Sequence, residues 1–184
     1  MVELAWLPKV IVLVAASVGA ATDLWRYRVY NVLTIPLFFS GLIFHAVAGG
    51  QMGLSDAFLG ALFGFAVLII PYGLGLMGAG DVKLMASLGA WLGLQSTIYV
   101  FVASALIAGV YAVVLILLRG KLRESWLTIK LIFYRLTLLG VHFGREDLVE
   151  NLTVDNEHRL RVIPFGAMVP LGIIGAYFWL QWYP

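Results

Sequence analysis

The sequence predicts an all-α fold, a polytopic bundle of about six transmembrane helices, on three observations. Apolar residues fill 62% of the 184 positions and charged ones only 12%, with a mean hydropathy of +0.97. Soluble domains carry about 25% charged residues, so too few polar side chains remain here to face water. Six apolar runs reach or approach the roughly 20 residues that a bilayer crossing needs. Eleven of the twelve Lys and Arg fall on one side of a six-span arrangement, as expected of cytoplasmic connections.

The first run, near 4–22, ends in small residues, "VAASVGAATDLW", as a cleaved signal would. Lys9 makes only a thin basic region and further runs follow at once, so a retained helix is expected. The second and third runs lie near 31–49 and 55–76, the fourth and fifth near 82–95 and 97–118, and the last near 162–182. The fourth is short for a crossing, so it should be tilted or enclosed by neighbours. Gly60 and Gly64, and Gly89 and Gly93, stand four apart, a spacing that lets helices approach closely. No internal repeat stands out.

Arg26 and Arg28 lie in the first connection, Lys83 in the third, and the other eight cations of the basic side in the fifth, residues 119–161. These three connections should be cytoplasmic, with both termini outside and Lys9 alone on the outer side. The fifth connection divides in two. "ESWLTIKLIFYRLTLL" is apolar with charge at its centre, which suits an amphipathic helix in the membrane interface. A seventh span there would instead bring the C-terminus inside. "GREDLVENLTVDNEHRLR" reads as a solvated cytoplasmic loop. Residues 1–184 are expected to form a single membrane-embedded domain.

The chain has no cysteine, which excludes disulfides, thiolate zinc sites and cysteine nucleophiles. Its three histidines, His45, His142 and His158, are scattered and make no metal cluster. His45 and His142 read as structural residues. No basic run with interleaved aromatics points to nucleic acid.

Four acids lie outside the fifth connection. Glu3 is terminal. Asp56 follows Ser55 at the start of the third run, where an acid serves as a helix cap or dipole partner. Asp23 ends the first run and Asp81 opens the fourth, which brings them to one membrane depth although 58 positions separate them. Ionisable residues at such depth face a bundle interior or a water cavity and mark function. Two carboxylates within a few ångströms cannot both ionise easily, so the pair shares a proton. One member can then deprotonate a water while the other polarises a scissile carbonyl. Gly78 and Gly80, just before Asp81, leave the backbone free to bend and to approach another chain. "GLMGAGDVK" lacks the lysine–serine/threonine pair and spacing of a phosphate-binding loop.

"MGAGDVKLMASLGAWLG" resembles the second active-site motif of the type IV prepilin peptidases, the G-x-G-D membrane aspartyl proteases. "DLWRYRVYNVLT" is similar to their first motif, an Asp followed by a basic stretch and an I-P-N, with Asn31 eight positions after Asp23. "VIPFGAMVPLGIIGAY" is similar to their closing segment, and the three stretches occur in the family's order. Tyr30 stands where the motif has proline, and Asn31 is expected to cap the second helix. The resemblance implies a catalytic dyad of Asp23 and Asp81, an active-site turn of Gly78 and Gly80, and Lys83 as the basic residue after the motif. Lys83 and Asn31 are candidates for the substrate site or for simple interfacial roles. It also implies a prokaryotic inner-membrane enzyme that cuts the short basic leader from prepilins, with no cofactor or metal. With no cysteine pairs for the family's added methyltransferase domain, the chain looks like the peptidase-only form serving Flp/Tad pili; the compact archaeal preflagellin peptidases are related. Two other readings stay open on the residues alone: a small proton- or ion-coupled transporter, which would want acids near the midplane, and a non-catalytic subunit of a secretion or pilus apparatus.

Overall fold

The computed structural model describes residues 7–26, 29–73, 77–119 and 165–182, and these are helical but for short connections. The helices are α1 (Leu7–Arg26), α2 (Asn31–Gly73), α3 (Ala79–Arg119) and α4 (Phe165–Trp182). The chain forms two compact units, residues 1–110 with 164–184 and residues 111–163. Of the second, only 111–119 are described, all helical. The interfacial helix and polar loop expected after Arg119, and His142 and His158 with them, lie outside the described residues.

Two of the helices are each a pair of arms joined at one glycine. Gly50 in α2 has φ 59° and ψ −144°, and Gly93 in α3 has φ 73° and ψ 174°. Side chains other than glycine rarely take such angles, so the polypeptide turns there without a loop. The sequence suggests short connections after residues 49 and 95; single hinge glycines do that work instead. The described residues of the apolar runs are all helical, and the fourth run passes the Gly93 hinge by two residues.

Register gives the directions. Asn31 meets Lys83, the Thr34 carbonyl meets Ser87 and the Leu37 carbonyl meets Trp91, so the first arms of α2 and α3 run parallel. On the second arm of α2 the order reverses: Gly64 abuts Met85, Gly60 abuts Gly89, and Asp56 reaches Leu94. α2 therefore doubles back at Gly50. Asp56 pairs with Leu94 and Phe63 with Phe101, so α3 in turn doubles back at Gly93. α1 and α4 pack antiparallel, with Lys9 over the Tyr177 ring at one end and Asp23 beside Gly166 at the other.

The first arm of α3 runs through the core of the first unit, and every residue from Leu84 to Trp91 is buried. The short fourth run is thus enclosed by its neighbours, as its length requires. Both glycine pairs lie in this contact. A Cβ on Gly60 or Gly89 would collide with the other's carbonyl oxygen, and one on Gly64 would come within 2.6 Å of the Met85 carbonyl. Two ring nitrogens find backbone partners: Trp91 donates to the Leu37 carbonyl at 2.8 Å, and His45 Nε2 lies 2.9 Å from the Trp91 carbonyl. His45 is therefore the structural residue that the sequence suggests.

The outside is apolar. Val32, Ile43, Val47, Phe58, Leu106 and Ile174 are among many large hydrophobic side chains that project outward. Asn31–Gly73 and Ala79–Leu115 are long and apolar enough to cross a membrane, and Phe165–Phe178 is a shorter apolar stretch. Such a surface is stable against hydrocarbon and not against water.

Candidate active site

Three helix ends meet at one end of the bundle. Asp23 stands in the last turn of α1, Asp81 in the first turn of α3, and Gly166 is the second residue of α4. The start of α3 is fixed by its own backbone, as the Asp81 N–H donates to the Gly78 carbonyl at 3.2 Å. Asp81 is then buried, only 6% exposed, while Asp23 is partly buried.

The Gly166 N–H donates to Asp81 Oδ1 at 3.0 Å. A Cβ built on Gly166 would stand 2.9 Å from Asp81 Oδ1 and 3.3 Å from Asp23 Oδ2. Both carboxyls thus converge on one point, with oxygens no more than about 6 Å apart, within reach of each other's charge. Asp23 Oδ2 is buried and has no hydrogen-bond partner among the described residues. A cavity of about 370 Å³ opens beside the pair, with Tyr30, Asn31, Gly78 and Gly80 on its walls. Two facing carboxyls and room for water are the parts that general acid–base hydrolysis needs.

The two glycines before Asp81 differ in surroundings. A Cβ on Gly80 would come within 2.9 Å of the Val29 Cβ and 3.2 Å of the Val29 nitrogen, so Gly80 lets α3 press against the α1–α2 connection. A Cβ on Gly78 would meet nothing nearer than 3.9 Å among the described residues.

Lys83 projects outward and donates to Asn31 Oδ1 at 2.9 Å, bridging α3 to α2 across 52 positions. Asn31 is the first helical residue and not the cap the sequence suggests. The Tyr30 carbonyl accepts from the Leu33 and Thr34 N–H groups, which leaves the Asn31 side chain for Lys83. Asp56 does serve a helix start, but that of the second arm of α3, through the Leu94 N–H at 3.1 Å. Gly166 is the site residue that sequence reasoning missed; its signal was the proline–aromatic–glycine entry to the last run.

The profile of the type IV leader peptidase family matches residues 10–113, which hold both aspartates. Among curated proteins, the prepilin leader peptidase/N-methyltransferase of Aeromonas salmonicida (strain A449) is 41% identical over 105 residues, 53% of this chain and 36% of that protein. Those of Pectobacterium carotovorum subsp. carotovorum and Escherichia coli (strain K12) are 33% and 39% identical, over 66% and 48% of this chain and 47% and 42% of theirs. The matches thus span about a third to a half of these relatives' length. No solved structure matches.

Proposed function

Because the chain belongs to the type IV leader peptidase family, we propose that it is a membrane aspartyl endopeptidase. In this reading Asp23 and Asp81 remove the short basic leader from type IV prepilins or related pilin-like proteins. The observation that supports it is the convergence of the two aspartates, from the ends of different helices, beside one cavity.

The mechanism follows from the pair. A water seated between the carboxyls gives a proton to the ionised one as it attacks the scissile carbonyl, while the other's proton goes to the carbonyl oxygen. The tetrahedral intermediate collapses as the amine leaves with a proton, and the dyad returns to its one-proton state. The substrate backbone enters past Gly78, on the open wall.

We further propose six spans with both termini outside, in the inner membrane of a prokaryote, which sets the dyad at the cytoplasmic face. A basic leader held inside by its charge then places the bond to be cut level with the dyad. Residues 1–184 act as one peptidase domain, and the 119–161 segment anchors to the lipid interface. We assign leader removal alone to these residues, with no N-methylation. Family membership does not favour the transporter or structural-subunit readings.

Asp23→Asn and Asp81→Asn should each cut prepilin cleavage in liposomes by at least about a hundredfold, the scale of general acid–base catalysis. Both variants should insert and accumulate like the parent chain. Full cleavage by either one would overturn the dyad.

A further inference from the structure

We propose that Gly166 is a positioning residue of the dyad. Its backbone N–H anchors one oxygen of Asp81, and its missing side chain leaves the space in which the two carboxyls face each other. This rests on the reading of Asp23 and Asp81 as the catalytic pair.

The first turn of any helix has N–H groups without an intrahelical partner. In α4 one of these is spent on Asp81 Oδ1, at 3.0 Å and out of solvent. A hydrogen bond from a backbone N–H to a carboxylate is charge-assisted and stronger than one between neutral groups. It fixes the carboxyl's rotation, so the two oxygens of Asp81 have different work. Oδ1 is the anchor. Oδ2 lies on the side of Gly78, 3.9 Å from where that residue's Cβ would be, and Gly78 lines the cavity. The Gly78 N–H also bonds the Asp81 carboxyl, so two backbone donors together hold it beside the cavity that Gly78 lines.

The second half concerns volume. A methyl group on Gly166 would press on Asp81 Oδ1 and Asp23 Oδ2 together, at 2.9 and 3.3 Å. The other glycines of α4 do not touch the dyad: a Cβ on Gly172 would meet Ser104, and one on Gly175 has nothing within 4 Å among the described residues. α4 shares no sequence neighbourhood with either acid. Its contact with both is made by a residue that has no side chain, so the two aspartates do not fix the site without it.

The two contributions separate in the full chain in liposomes, assayed on the prepilin encoded in the same genome. Replacing Gly166 with glycolic acid exchanges the N–H for an ester oxygen and adds no bulk. kcat should fall about tenfold to a hundredfold, as for loss of a hydrogen bond to a charged group, with KM within about twofold. Gly166→Ala keeps the N–H but fills the space, and should lower kcat at least as far at unchanged KM. Gly175→Ala, on the same helix, should keep full kcat. If Gly166→Ala fails to fold, the ester carries the test alone. An ester variant with unchanged kcat, or with its loss confined to KM, would overturn the proposal while wild-type cleavage stands. A wild-type chain that cuts no prepilin would overturn the catalytic reading beneath it.

Discussion

Gly78 and Gly80 stand two apart in one turn, yet a methyl group on each would meet different surroundings. Gly80→Ala would drive a Cβ to within 2.9 Å of Val29, part of the connection that follows Asp23, so α3 must shift away from α1. Overpacking of this kind costs about 1–3 kcal/mol, so the variant should melt earlier in detergent and cleave more slowly. Gly78→Ala should melt like the parent, because among the described residues nothing would lie nearer than 3.9 Å to the new Cβ. The meeting of Asp23 and Asp81 was readable from sequence because charge beside lipid is costly, and one ends a span where the other opens one. Gly166 was not, since a backbone donor looks the same at every position and only the fold aims it at Asp81. Lys83 with Asn31, and Asp56 with Leu94, escaped for a related reason: polar partners 52 and 38 positions apart leave no local spacing to recognise.

At the scale of elements, the contact between the second arm of α2 and the first arm of α3 is backbone against backbone. Gly60→Leu should abolish stable folding, because the new side chain would meet the carbonyl of Gly89 and the Gly93 backbone, neither of which can swing aside. Gly109→Ala, where a Cβ has nothing within 4 Å among the described residues, should be neutral or stabilise by up to about 1 kcal/mol through better helix propensity. Asp56→Ala should cost about 1 kcal/mol, the usual worth of a helix cap. Thermal unfolding in one detergent ranks all three. The close approach was legible from the four-residue glycine spacing. The hinges were less so: a polar stretch such as "GLQST" suggests a connecting loop, whereas one left-handed residue at Gly93 reverses the helix and leaves the remaining four inside it.

For the molecule as a whole, the absence of cysteine makes orientation simple to measure. In intact cells Ser55→Cys should react with a membrane-impermeant maleimide added outside, and Lys83→Cys only after the membrane is opened, since their arms end on opposite sides of the bundle. Labelling of both from outside would break the six-span topology. The fold also carries a consequence in time. The donor to Asp81 lies 85 positions further along the chain. At synthesis rates of about 5–20 residues per second, that separation is roughly 4–17 s. A nascent chain would therefore hold both acids in the membrane for seconds before α4 arrives to align them. Under the proposed catalytic reading, proteolytic competence would then be withheld until residue 166 is made, so a copy without α4 could not attack its neighbours at the insertion site.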